Sequence, residues 1–125
     1  MSLANATADR LSRLALGATF AWLGYDAATK PGPRVAVAAD FGMPNPEGAV
    51  RFNGAAMAAG GAALALGILP RTAALGLIAS LVPTTMAGHP FWKETDPKLR
   101  TANRVQALKN LGLAGGLLAV ATRQR

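Results

Sequence analysis

Between Phe52 and Gly88 the chain runs 37 residues with one formally charged side chain, Arg71, placed directly behind Pro70. At a helical rise of about 1.5 Å per residue, the flanking pieces Phe52–Pro70 and Thr72–Gly88 are each about 26–28 Å long, close to the roughly 30 Å hydrocarbon thickness of a bilayer. The stretch reads as a transmembrane hairpin with a tight reversal at the Pro-Arg step. Composition agrees. Charged residues make up only 15% of the chain and hydrophobic ones 51%, against roughly 25% charged in soluble domains, so the surplus apolar surface needs lipid. The 125 residues hold one domain: after four helices of about 20 residues, little remains beyond loops.

The absence of cysteine removes disulfides, thiol nucleophiles and Cys-ligated metal centres, and a single histidine excludes bis-His haem ligation by this chain alone. No metal site and no resident cofactor are expected. The net charge of +7 would suggest nucleic acid in a soluble chain. Here the basic residues punctuate apolar segments instead of forming one face with interleaved aromatics, so anionic lipid headgroups are the expected contact and nucleic acid is not.

Four apolar segments are expected, at about 10–29, 51–69, 72–89 and 103–122, giving an all-α, integral membrane four-helix bundle. The first contains Leu11, Leu14, Leu16, Phe20, Trp22, Leu23 and Tyr25, with Trp22 and Tyr25 suited to an interfacial belt. A cleaved signal peptide is the alternative reading of this segment, because Arg10 and Arg13 precede a short apolar core; Asp26 stands against it, in a region that should be neutral. Residues 31–51 carry four prolines and three glycines and form a loop, with a short interfacial helix expected around Val35, Val37 and Phe41. Lys93–Arg100 alternates in sign and is expected as a solvated loop. Pro83 removes a backbone hydrogen bond, so the third segment should kink there, with Thr84 and Thr85 available to the freed carbonyl.

The middle segments are weakly hydrophobic and depend on packing. Gly54, Ala58, Gly61 and Ala65 place a small side chain on one face every three or four residues, and Gly112 with Gly116 forms a GxxxG in the last segment. These are the candidate helix-packing residues, against sister helices or partner subunits; Ala-rich chains also produce such spacings by chance. Lys109 falls inside the fourth apolar pattern, where it must snorkel or find a carboxylate. Asp26 is the expected partner.

Val82-Pro83-Thr84-Thr85-Met86-Ala87-Gly88-His89-Pro90-Phe91-Trp92, followed by Leu108-Lys109-Asn110-Leu111-Gly112-Leu113-Ala114-Gly115-Gly116, resembles the DoxX family, in its Ala/Gly-rich actinobacterial-type branch. Gly54-x5-Gly60-Gly61-x2-Leu64-x2-Gly67-x2-Pro70-Arg71 is similar to the family's second-span pattern and Gly24-x-Asp26 to its first. The likeness runs over about residues 10–122. Met57 departs from it, standing where many members carry a glutamate. The resemblance implies four spans with both termini on one side and, for some members, association with redox partners; it supplies no enzyme activity.

Asp26, Asn53, Thr84, Thr85, His89, Lys109 and Asn110 are expected to meet at the end of the bundle away from the termini. Two readings of this polar cluster stay open. Asp26 and His89 can relay a proton or hydrogen-bond a quinone carbonyl, or Asp26 pairs with Lys109 and His89 caps a loop carbonyl, fixing helix register. For orientation, Arg10, Arg13, Arg71, Arg123 and Arg125 lie on the terminal side with only Asp9 beside them, while the other side holds eight basic residues against Asp26, Asp40, Glu47, Glu94 and Asp96, so raw counting favours termini outside. Several of those eight have acids nearby in sequence or sit inside the fourth segment, and the short connections of the first set together with the family's usual topology favour termini on the cytoplasmic side of the plasma (inner) membrane. The expected function is that of a non-catalytic accessory subunit of a larger envelope complex, a lipid transporter or redox assembly, with other integral membrane subunits as partners in a hetero-oligomer. A quinone-linked oxidoreductase component and a small-molecule or lipid carrier are the alternatives.

Overall fold

Helix starts in this chain are set by short polar side chains followed by proline or small residues. The first helix, α1 (Leu3–Thr29), opens on Ser2, whose Oγ accepts the amide of Asn5 at 3.1 Å. After the short α2 (Arg34–Asp40), the Asn45-Pro46 step opens α3 (Pro46–Leu66), with the Asn45 side chain accepting the Gly48 amide. Asp96-Pro97 does the same for α5 (Pro97–Thr122), through Lys98. A proline at the first helical position costs nothing, since that N–H has no intrahelical partner, and an Asn or Asp before it satisfies one of the orphan donors behind it. These caps place the starts of α1, α3 and α5 five to seven residues earlier than hydropathy indicates. The Lys93–Arg100 loop is accordingly corrected: its second half, from Pro97, is helix.

The reversal between α3 and α4 (Pro70–Gly88) lies just before the Pro-Arg step. Gly67, at φ 76°, closes α3 in a Schellman motif: its amide reaches Leu64 O at 3.1 Å and that of Ile68 reaches Ala63 O at 2.8 Å. Leu69 then adopts φ 44°, a left-handed conformation that costs a non-glycine residue free energy. Pro83 does not interrupt α4. The Thr84 and Thr85 hydroxyls donate to Ser80 O and Leu81 O, both at 2.7 Å, and leave alone the carbonyl four residues before Pro83.

The computed structural model describes residues 1–125 and contains five helices and no strand. The four long helices run alternately up and down. Gly17 of α1 lies beside Gly61 of α3 and Gly24 beside Gly54, Asn53 of α3 meets Thr84 of α4, and Asn110 of α5 meets Thr85. Arg125 returns to Asp9 of α1, so both termini lie at one end. The core is a thin seam of Phe20, Met57, Leu64, Ala74, Leu77, Leu81, Leu117, Val120 and Ala121. Only 16 of the 125 residues are buried, so most large apolar side chains face outward, among them Leu14, Trp22, Phe52, Leu75, Val82 and Leu111. By length and composition, α3 and α5 are apolar enough to cross a membrane. The expected hairpin partner α4 falls short of that mark because Arg71, Thr72, Ser80, Thr84 and Thr85 dilute its Leu and Ile content.

Candidate functional site

The small-residue stripe of α3 is spent inside the chain. Gly54, Ala58 and Gly61 face Gly24 and Gly17 of α1 so closely that a Cβ added at Gly17 would lie 2.5 Å from Gly61 O, and one at Gly54 would lie 2.6 Å from the Ala28 amide. Ala65 completes this seam, with its amide 2.6 Å from the same added Cβ at Gly17. Backbones at this separation gain dispersion contacts and Cα–H···O interactions that larger residues would forbid. The GxxxG of α5 behaves differently: Gly116 rests near Leu16 of α1, whereas Gly112 and the neighbouring Gly115 have open space where a side chain would stand.

Of the seven polar residues expected to converge, four form two side-chain pairs, Asn53 with Thr84 and Asn110 with Thr85, and the side chains of Asp26, His89 and Lys109 join neither pair nor one another. Asn53 links α3 to α4, its Nδ2 donating to Thr84 Oγ1 at 3.1 Å while its Oδ1 accepts from Ser80 Oγ at 2.6 Å. Ser80, absent from the sequence reading, is legible in retrospect because it lies one turn before Thr84. Asn110 Nδ2 donates to Thr85 Oγ1 at 2.9 Å and ties α5 to α4. Asp26 does not meet Lys109; its carboxylate accepts from Arg34 Nη2 at 3.0 Å, because the turn after α1 folds α2 back across the helix end. Lys109 lies exposed on α5 with no carboxylate within 4.0 Å. His89 caps no loop carbonyl: its backbone amide donates to Thr85 O at 2.9 Å, and its Nδ1 is buried without a partner. Met57 is 7% exposed in the core and its Sδ accepts from Asn53 Nδ2 at 3.6 Å, so an acid at this position would have entered the bundle interior beside an amide.

A cavity of about 490 Å³ opens at the same end, between α2 and the facing ends of α1, α3 and α4. Its walls are mainly apolar, with Val37, Phe41, Val50 and Pro83 among them, and His89 and Arg34 supply polar atoms. The size and the apolar walls with few polar groups fit a small-molecule site.

At the opposite end, Asp9 is 4% exposed and joins three arginines. Arg125 Nη2 donates to its Oδ1 at 2.8 Å, Arg13 Nε to its Oδ2 at 3.2 Å, and Arg123 Nε stands 3.7 Å away. Burial pushes the Asp9 carboxyl up, but hydrogen bonds from Arg125 and then Arg13, together with their charges, outweigh it and hold the pKa below the usual carboxylate range. Arg71 Nε caps the end of α5 at Ala121 O, 2.9 Å. The sequence signal for this cluster was the Asp9/Arg13 spacing of four, with Asp9 the sole acid on the terminal side.

No curated protein and no solved structure matches the chain. A family model does, that of DoxX, over residues 8–90. The matched stretch takes in all but the first turns of α1, then α2, α3 and α4, two thirds of the chain, and stops before α5. With an all-helical fold whose apolar side chains face outward, the chain belongs to the DoxX family of small membrane proteins.

Proposed function

We propose that the chain spans the plasma membrane four times with both termini cytoplasmic, and serves as a non-catalytic accessory subunit that docks on a larger envelope complex through α5. The observation that carries this reading is Lys109. It follows the basic stretch Lys98–Arg104 and borders the uncharged run Asn110–Thr122 of α5, exposed and with no carboxylate of its own chain within 4.0 Å; a cation there must snorkel to the interface or meet a carboxylate. Gly112 shares its face at the i, i+3 spacing with room for a closely approaching backbone, and the exposed Val105 and Leu108 extend the same surface. A partner helix bearing an Asp or Glu among small residues is complementary to it. A helix of a lipid transporter or of a redox assembly is the proposed partner.

Purification at native expression level in mild detergent, followed by mass spectrometry, tests the proposal. A stoichiometric membrane partner that is lost with Lys109→Met, while the isolated variant melts like the parent, is the expected result. A partner retained at full stoichiometry by Lys109→Met and by Gly112→Leu refutes docking through this face.

The cavity beneath α2 favours a second reading, in which the chain carries a small lipophilic molecule or quinone itself. Transport or quinol oxidation by the purified chain alone in proteoliposomes would replace the first reading with this one.

A further inference from the structure

The terminal end of the bundle gathers more positive charge than its own acid can answer. A shallow recess of about 340 Å³ opens there between the α3–α4 turn and the last residues of the chain, with Arg71, Thr72, Arg123 and Arg125 in its wall beside Leu69 and Pro70. Asp9 is the one carboxylate within 4.0 Å of any of these arginines, and Arg13 shares it. Four arginines against one acid leave three positive charges unanswered, and their mutual repulsion is relieved by an anion. Donors are left over as well. Arg125 is fully engaged, with Nε and Nη2 on Asp9 and Nη1 on Arg123 O. Arg71, however, uses only Nε, on Ala121 O at 2.9 Å, so both of its Nη atoms lack a partner in the chain. Arg123 uses Nη1, on Asn5 O at 2.9 Å, and its Nη2 makes no hydrogen bond. The Thr72 hydroxyl donates to no carbonyl, unlike those of Thr84, Thr85 and Thr122. These donors are open to a ligand: Arg71 and Thr72 are exposed, and the Arg123 side chain is 32% exposed.

We propose that this recess binds the phosphate of an anionic phospholipid, held by the Arg71 and Arg123 guanidinium groups with the Thr72 hydroxyl as a further donor. The planar fork of a guanidinium matches the paired oxygens of a phosphate, and such charge-assisted bonds are the strong ones. A lipid is favoured over a free anion by the apolar rim of the recess: Leu69 in its wall and the neighbouring Leu66 and Ile68 of the same turn are all exposed and offer a surface to acyl chains. A zwitterionic head brings its own ammonium against the arginines and gains less. The site needs the bundle to lie in a bilayer, as proposed above, but neither a given side for the termini nor a partner on α5.

The test is native mass spectrometry of the full chain released from detergent micelles, titrated with dioleoylphosphatidylglycerol, with dioleoylphosphatidylcholine, and with inorganic phosphate. The first phosphatidylglycerol should bind at a concentration about tenfold below phosphatidylcholine, the scale of one charge-assisted hydrogen bond, and inorganic phosphate should not displace it. Arg71→Gln should bring phosphatidylglycerol to the level of phosphatidylcholine. Lys93→Gln, which removes an exposed positive charge at the other end of the bundle, should leave the preference unchanged. Thr72→Glu sets a carboxylate among the arginines, in a first helical turn where an acid is favourable, and should erase the preference while the melting temperature holds. Equal affinity for the two lipids, a loss in Lys93→Gln equal to that in Arg71→Gln, or an unchanged preference in Thr72→Glu overturns the proposal. Inorganic phosphate that binds as tightly as phosphatidylglycerol overturns the lipid as occupant. Should Arg71→Gln, deprived of its bond to Ala121 O, fail to melt cooperatively by circular dichroism, the lipid ranking on the parent chain and the Thr72→Glu result still decide. The readout is taken on the purified chain without a partner, so docking through α5 stands or falls separately.

Discussion

Gly61 sits where α1 and α3 approach most closely, and replacing it with alanine separates two opposed effects. Alanine is the better helix former by about 0.8–1.0 kcal/mol, so an unopposed Gly→Ala change inside a helix should stabilise. At Gly61, however, the added methyl would stand 2.6 Å from Gly17 O and against the Ala21 backbone. Non-bonded carbon contacts relax at roughly 3.5 Å, so the helices must part by on the order of 1 Å, and the obstructing atoms are backbone that cannot rotate away. Overpacking of this kind costs about 1–3 kcal/mol. After the propensity gain, Gly61→Ala should destabilise by up to about 2 kcal/mol, about 1 kcal/mol at the middle of that range. Gly112→Ala, with nothing within 4 Å of its added carbon, should gain about 0.5–1 kcal/mol. The measurement is the unfolding free energy of both variants in mixed micelles, titrated with sodium dodecyl sulfate and followed by circular dichroism. The two shifts should have opposite signs and differ by about 2 kcal/mol. A Gly61→Ala protein as stable as Gly112→Ala would refute the close backbone contact.

Leu69 is held at φ 44° with its side chain 70% exposed, so Leu69→Gly relieves backbone strain and gives up little burial; a gain of about 0.5 kcal/mol is expected in the same titration, whereas Ile68→Gly should lose stability. Asp9→Asn removes charge-assisted hydrogen bonds to Arg125 and Arg13 and should cost about 2 kcal/mol at neutral pH. Because the folded pKa of Asp9 is lowered from its ordinary value of 3.8, the contribution is fully present above that value and fades as the pH falls through the folded pKa. The gap between parent and Asp9→Asn melting curves should therefore stay constant from pH 7 to 5 and close below about pH 4; a gap that persists under acid would rule out the charge as its source. The chain has no cysteine, so Ser2→Cys and Thr95→Cys report the two ends directly. With the termini cytoplasmic, an impermeant maleimide should label Thr95→Cys in intact cells and Ser2→Cys only after lysis; the reverse pattern inverts the topology.

The helices were readable because their signals are local. Apolar runs between prolines mark the segments, and Val35, Val37 and Phe41 gave the short helix that appears as Arg34–Asp40. Helix starts lie earlier than hydropathy indicates, since hydropathy marks where apolar residues begin and not where Asn45-Pro46 or Asp96-Pro97 satisfies free amides. The polar cluster was only half legible. Its members do gather toward one end, but which acid meets which base depends on where a loop folds, and Arg34, eight residues beyond Asp26, reaches that carboxylate. The Asp9 cluster joins residues 116 apart in sequence, a separation at which spacing carries no signal.

Sequence alone determined that this chain is helical and carries more apolar surface than its own core can hold, because composition and periodicity act residue by residue. The Gly54–Ala65 stripe was visible in the same way, as a face suited to close packing. Tertiary structure decided what that face packs against: α1 of the same chain takes it, leaving Gly112 and Lys109 of α5 without a neighbour. The physical reason is that small-residue faces carry no address of their own. Their partner is fixed by which helices the turns bring together and by the depth to which two backbones can then approach.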